Sequence, residues 1–536
     1  MRRPSASLVV FCIISVSILV ANFWFRTIKT AQTKPLTLNS YAIGNIEDYH
    51  QYMYILKRGA QGKLLYHNAY SEESIPDVFI QPFYHVAGWV FGALHISIYD
   101  TYFMLHLLGF IFLFFAIYML IQRTIVSEIG RVSALLLYIS ATGFWKISSL
   151  SPISLTRMYL PDFNFDLFIK YHVMQPHHDV AIALFILAIL SLSHQAYSIK
   201  QGIVGGVSAA LLGLIHPYIQ LFLFFVLIVD HIVRILLLRQ SYIQYIKHYS
   251  IPILIALPTS ILTYYIFVHV LQFEIGLKGV VTYLQRDQTF YQYMVSVGPL
   301  LFISGLSLVY VQKILNNGLV RLTFIWAYLP FILFFLPDYH IPINTWRLFQ
   351  TYQHIPLAIL GAYSFVRVSK KIPKFGLILP ILAVAALCYG LPMYAYGFYE
   401  STRPVTRLIW TVDIPLVLIK VCTFLNTTSK PDSIVLAGPQ MSNLLPEFSH
   451  NRVIIGHNGD NRNFITKYIE IVSFLKGQVP IDAVKPFLER YHVSYIVFGI
   501  DAPIFKNTPY ATLPFLKEVF VEPVSGFSVV AVQSDK

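Results

Sequence analysis

Long apolar runs separated by short polar breaks dominate the first three quarters of the chain. Runs long enough for a spanning helix lie at 8–25, 101–122, 132–147, 177–196, 202–216, 217–238, 250–272, 295–312, 322–337, 354–368 and 375–397. Roughly 20 apolar residues carry a helix across a bilayer, so the pattern predicts about eleven transmembrane helices. Within 201–238 the pair His216-Pro217 interrupts one continuous apolar stretch. A proline removes a backbone donor and either kinks a long helix or ends the first of two, and the alternation of loop charges favours two. From Lys430 onward the pattern changes: β-rich runs at 433–437, 452–455, 494–498 and 527–532 alternate with helical patterns at 464–475 and 481–491, as in a small α/β layer. The division expected is a membrane domain over 1–398 that includes a long first outer loop at 26–99, a linker over 399–429 and a soluble domain over 430–536.

Composition supports this reading. Of 536 residues 56% are hydrophobic and only 12% charged, half the charged share of a soluble globular chain, which excludes a soluble enzyme. The net charge of +13 would suit nucleic acid, but the cations fall in short clusters between apolar runs and do not interleave with aromatics. Arg123 and Arg131, Lys200, Arg234, Arg239 and Lys247, Lys313 and Arg321, and Arg367, Lys370, Lys371 and Lys374 all fall in alternate loops if the N-terminus is cytoplasmic. The positive-inside rule therefore sets the N-terminus in and the C-terminal domain out. Cys12, Cys388 and Cys422 form neither a disulfide framework nor a thiolate metal site.

Candidate chemistry lies in the loops assigned to the outer face. Glu47-Asp48 follows the first helix by about two dozen residues. Adjacent carboxylates beside an apolar surface suit a general base and a partner that binds a cation or orients a hydroxyl; the plainer alternative is an acidic start to a helix through Tyr52, Ile55 and Leu56. Arg347, behind Trp346, is the cation best suited to grip a phosphate, and an interfacial arginine is its alternative. In the same loop, 338–353, His340 and Gln350 are candidate substrate contacts. His177, His178 and Asp179 open a helix. Adjacent histidines there diverge by about 100°, so a single metal is poorly served; His177 and His178 are read as phosphate contacts, one facing the active cavity and one the lipid headgroups. Asp162 and Asp166 form a second acidic pair, and Asp162 with Glu47 is a candidate site for Mg2+ or Mn2+. His216 is a candidate cavity residue. In Ile455-Gly456-His457-Asn458-Gly459-Asp460-Asn461, His457 is a candidate contact for acceptor sugar, with turn geometry the plainer role of the glycines.

The acidic pair after the first helix, Gly59-Ala60-Gln61-Gly62-Lys63, Tyr66-His67-Asn68, Gln81-Pro82-Phe83-Tyr84, Gln175-Pro176-His177 and Trp346-Arg347-Leu348 ahead of Ile355-Pro356-Leu357 resemble the GT-C superfamily of integral-membrane glycosyltransferases. The similarity is to bacterial members of the dolichyl-phosphate-mannose mannosyltransferase and lipopolysaccharide types. It covers the architecture of most of the chain, while the motifs themselves are loose. The resemblance implies a polytopic GT-C-like helical domain, first-loop carboxylates at the active site, and inverting transfer of a hexosyl or pentosyl group from a polyprenyl-phosphate donor to a glycan, lipid or protein acceptor. It further implies a bacterial plasma-membrane location and a soluble outer domain at the C-terminus. Carried onto this chain, Asp48 is the base and Glu47 its partner or a metal contact, or the reverse. The rival class is a flippase for lipid-linked glycans, which would be expected to show broken helices in matching halves; a non-catalytic scaffold is the third.

Overall fold

The computed structural model describes residues 5–33, 37–39, 46–150, 153–157, 175–193, 198–239, 242–266, 289–335, 351–373, 375–402, 413–499, 504–523 and 525–533. It falls into two compact units. One comprises Met1–Arg26, Phe103–Tyr264 and Thr282–Arg403; the other comprises Thr27–Tyr102, Tyr265–Val281 and Pro404–Lys536. The segment after the first helix thus shares a unit with the C-terminal residues.

In the first unit each apolar run carries helix: α1 (Ala6–Ala31), α4 (Ile98–Thr124), α5 (Glu128–Ser140), α6 (Pro176–Leu192), α7 (Ile199–Ile215), α8 (Pro217–Leu236), α9 (Tyr242–Tyr265), a broken segment over 290–315, and the helices Gly318–Leu333, His354–Ser369 and Phe375–Thr402. Among the described residues four helices have the length and apolarity of a membrane crossing: Ala6–Ala31, Ile98–Thr124, Pro217–Leu236 and Gly376–Glu400. A fifth is counted if Phe290–Val297 and Leu300–Leu315, bent by 91°, form one span. The run 201–238 is two helices, as expected. His216 takes φ −150° and ψ 83° between them, extended as a residue before proline prefers.

Two expectations fail locally. The run 132–147 is helical only to Ser140; Trp145–Leu150 is a strand (β2) that pairs antiparallel with Ile153–Arg157 (β3). Trp145 is held out of the helix by Tyr389, whose hydroxyl accepts its amide at 3.1 Å and whose carbonyl accepts its indole N–H at 3.1 Å. The run 295–312 breaks at Gly298-Pro299. Gly298 sits at φ +75°, where a Cβ would lie 2.1 Å from the Thr142 carbonyl, and the proline cannot donate to the preceding turn.

One buried charge cluster in this unit is paired. Asp230 on α8 lies 2.6 Å from both Arg234 and Arg321 and accepts from the Tyr249 hydroxyl at 2.7 Å. All four residues are buried. The Trp326 indole donates to the Thr351 carbonyl at 2.7 Å.

The second unit is built on a five-stranded sheet of order β6-β5-β7-β9-β8, with β5 Ile434–Leu436, β6 Arg452–Val453, β7 Val493–Phe498, β8 Leu516–Val521 and β9 Ser528–Val532. The first three run parallel, and β9 is antiparallel to both of its neighbours, β7 and β8. Alternate residues serve opposite faces. Ile434, Leu436, Ile496, Phe498 and Val530 pack on the helices Phe464–Leu475 and Ile481–Arg490. Val435, Val497 and Val529 pack on Leu416–Thr428 and Pro439–Phe448. The stretch expected as a linker therefore contains a helix that covers one face of the sheet.

Residues from the segment after the first helix complete this unit. Helices α2 (Ile46–Ala60) and α3 (Pro82–Ala93) pack closely enough that a Cβ on Gly88 would strike the Leu56 carbonyl at 2.2 Å. Residues 69–71 run along the open edge of β6: the Val453 amide donates to the Ala69 carbonyl at 2.9 Å, and Ser71 bridges Ile455. Lys467 ties the same segment down through Glu72 at 2.8 Å and Glu73 at 3.1 Å. A covered edge also removes a template for aggregation.

Candidate active site

Glu47 and Asp48 occupy the first turn of α2, not a loop. Such residues complement the positive end of the helix dipole, so the acidic-start alternative describes their backbone. The next polar residue on that face, three positions on, is Gln51, and it joins Asp48 in one network.

The partner comes from the turn after β6, at the carboxyl end of a parallel strand, where α/β sheets place their binding loops. Asp48 Oδ1 lies 2.7 Å from His457 Nε2. On the other side of the ring, Nδ1 lies 3.2 Å from Asp460 Oδ2. Asp460 Oδ2 accepts from Gln51 Nε2 at 2.5 Å and from the Tyr66 hydroxyl at 2.8 Å. The Asp460 carbonyl accepts from Asn68 at 2.9 Å. Asn461 donates to the carbonyls of Tyr70 at 2.6 Å and His457 at 3.0 Å. Gly456 is required by close approach: its Cβ would lie 2.4 Å from the Tyr70 ring.

One layer below, α2 is fixed to the helix Pro439–Phe448. His50 Nδ1 lies 2.7 Å from Glu447 Oε2, and both side chains are wholly buried. The Tyr99 hydroxyl donates to the other Glu447 oxygen. Lys57 donates to the carbonyls of Pro446 at 3.2 Å and Ser449 at 2.9 Å; burial lowers its pKa to about 8, against the pull of neighbours that include Glu447.

The electrostatics separate the two carboxylates. Burial disfavours charge on His457, but Asp460 and Asp48 outweigh it and hold the imidazole pKa well above its ordinary value. The His457 ring is therefore clamped between two carboxylates, Asp48 and Asp460, that favour its protonated form. Glu47 is exposed. The protein around it pushes its pKa up; His457 offsets part of that rise and Asp48 adds to it. A carboxyl that is accessible and raised is the better proton acceptor.

The structure thus brings together Glu47, Asp48 and His457, three of the sequence candidates. His457, the expected sugar contact, has its Nε2 on Asp48. Gln51, Asp460 and Tyr66 were not singled out as site residues, although Asp460 lies in the turn that carries His457 and Gln51 is spaced three residues from Asp48. Arg347, His340, Gln350, Asp162 and Asp166 lie outside the described residues. In the first unit His177, His178 and His216 come together, with ring centroids 4.4 Å apart for 177 and 178, 4.7 Å for 178 and 216, and 5.9 Å for 177 and 216. His177 is stacked on His216, and His178 meets it edge-on. A hard cation such as Mg2+ or Mn2+ needs several oxygen ligands. Among the described residues Glu47 has no such partner set, because Asp48 Oδ1 is already held by His457.

No protein-family model and no curated protein matches the sequence. Solved structures do. The oligosaccharyltransferase of Archaeoglobus fulgidus in the apo form gives a TM-score of 0.57 at 10% identity over 99% of this chain and 75% of its own. The arabinofuranosyltransferase AftD from Mycobacteria gives 0.56 at 12% identity over 98% of this chain and 40% of its own. ArnT from Cupriavidus metallidurans bound to undecaprenyl phosphate gives 0.53 at 12% identity over 99% of both chains. At these identities the likeness is one of fold.

Proposed function

We propose that this chain, whose fold is that of the GT-C superfamily of membrane glycosyltransferases, transfers a sugar from a polyprenyl-phosphate donor to an acceptor hydroxyl by a single inverting displacement. The observation that carries the reading is the relay Asp48–His457–Asp460 with Glu47 open beside it. Support for the donor class comes from two neighbours of this fold, one bound to undecaprenyl phosphate and one, the archaeal oligosaccharyltransferase AglB, in complex with a dolichol-phosphate.

In this reading Glu47 accepts the acceptor's proton. The acceptor oxygen bonds to the anomeric carbon as the bond from that carbon to the phosphate oxygen breaks, and the electron pair departs with polyprenyl phosphate. No side chain is alkylated, so no nucleophilic Ser or Cys is needed. His457 holds Asp48 in place beside Glu47, and the surrounding protein, which disfavours the charged form of Glu47, favours its taking a proton. Stabilising the departing phosphate is the second requirement, and we assign it to Arg347 on its place in the sequence. In this reading the second unit, and with it the reaction, lies on the outer face of the membrane, which the positive-inside pattern of the loops supports; a bacterial plasma membrane is what the family resemblance implies.

The test is a panel of radiolabelled polyprenyl-phosphate sugars presented to the protein in lipid nanodiscs. Consumption of one donor, with inversion at the anomeric carbon, is the expected result. Movement of lipid-linked glycan across liposomes with no donor consumed would instead make the chain a flippase.

A further inference from the structure

A cluster that the transfer reaction does not use lies in the first unit. His177 and His178 stand in the first turn of α6, whose N1 residue is Pro176. His216 stands at the junction of α7 and α8. The junction is fixed from both sides: the His216 amide donates to the Leu212 carbonyl at 2.7 Å, and its own carbonyl accepts from the amides of Ile219 at 3.1 Å and Gln220 at 3.2 Å. One nitrogen from each of the three rings lies within 4.8 Å of the others. His178 and His216 are buried, at 6% and 5% exposure, and His177 is half-buried.

We infer that His177, His178 and His216 form a binding site for a zinc-class divalent transition metal. Three neutral imidazoles suit zinc, copper, iron or nickel and not magnesium or calcium, which take oxygen. Zinc–nitrogen bonds of about 2.0–2.1 Å in a tetrahedron set ligand nitrogens roughly 3.4 Å apart. The present spread, at most 4.8 Å between nitrogens, closes to that with small rotations about side-chain bonds. The objection that adjacent helical histidines diverge fails here, because the His177 and His178 rings lie 4.4 Å apart and His216, from another helix junction, meets them at 5.9 Å and 4.7 Å. Three protein ligands leave a fourth position for water or an exchangeable ligand, on the side of the partly exposed His177. The neighbouring Asp179 carboxylate is 2% exposed and carries an oxygen without a hydrogen-bond partner among the described residues.

The site is distinct from the Glu47 region in sequence and ligand type, and its test is independent of transfer activity. Full-length protein in nanodiscs is stripped with chelator, and Co2+ is then added while visible absorption is recorded; bound cobalt is afterwards displaced by Zn2+ and counted by mass spectrometry of metals. The expected result is one ion per chain with the visible bands of four-coordinate cobalt. His178→Ala and His216→Ala weaken binding by at least about tenfold, and Glu47→Gln leaves it unchanged. Binding falls as pH drops through the histidine range, because ligands must be deprotonated. Should either variant fold poorly, the wild-type protein still decides: Zn2+ raises its melting temperature if the site exists, by the ordinary linkage of ligand to fold. Sub-stoichiometric metal with no cobalt bands, or binding unaltered in both variants, overturns the inference. So does inorganic phosphate that binds the metal-free protein and is lost in the same variants, which would make the cluster an anion site.

Discussion

Glu47 and Asp48 are neighbours in sequence with opposite surroundings, and the difference assigns their roles. Asp48 faces the His457 ring, while Glu47 is exposed and raised. A base must be deprotonated to act, so transfer should fall as pH drops through the Glu47 pKa, above the ordinary glutamate value. Rate against pH in the wild type should show this acidic limb, and Glu47→Gln should remove the limb together with most of the rate, on the order of 100-fold or more. His457 gives a prediction of stability. Its folded pKa is raised, so its stabilising effect is complete below the ordinary histidine value and is lost as pH rises toward the folded one. Melting temperature should therefore decline from about pH 6.5 upward. In His457→Gln that part of the slope should vanish; an unchanged slope would mean that His457 is not the titrating group.

The same residues are held by elements that sequence periodicity identifies unevenly. The helix Phe464–Leu475 is found where its pattern predicts, and four of the five sheet strands overlap predicted runs. The fifth, β8, alternates in burial along Leu516–Val521, but its residues, Leu-Lys-Glu-Val-Phe-Val, do not alternate apolar and polar, so no strand period marks it. The helix Pro439–Phe448 was not anticipated, because it carries an internal proline at Pro446 and an acid, Glu447, that reads as a surface residue until it meets His50. That meeting is tertiary, as is the pairing of His457 with Asp48 across 409 positions, and no local pattern encodes either. Since His50 and Glu447 are wholly buried, Glu447→Ala should cost about 3–5 kcal/mol, the range for breaking a buried pair. Chemical denaturation of the purified protein checks this, and a loss below about 1 kcal/mol would show that the pair does not anchor α2.

Across the molecule, the apolar runs predicted helices because a bilayer demands that backbone groups be satisfied within each segment. Where the runs misled, at 132–147 and 295–312, hydropathy is blind to the cause: a tryptophan held by Tyr389, and a glycine-proline pair that bends the chain. Buried charge in the first unit was legible only as loop cations, whereas Arg234 and Arg321 converge on Asp230. Asp230→Ala should leave two buried guanidinium groups uncompensated and lower stability by about 3–5 kcal/mol, read as a fall in melting temperature in detergent. Asp230→Asn should cost less, since the amide oxygen still accepts.

The central claim is that a carboxylate in the segment after the first helix takes the proton in a sugar transfer from a lipid phosphate. Single-turnover transfer from the identified donor, compared between wild type and Glu47→Gln at equal donor occupancy, addresses it directly. The account predicts unchanged donor binding with the chemical step slowed on the order of 100-fold or more. A chemical step as fast in Glu47→Gln as in the wild type would contradict it.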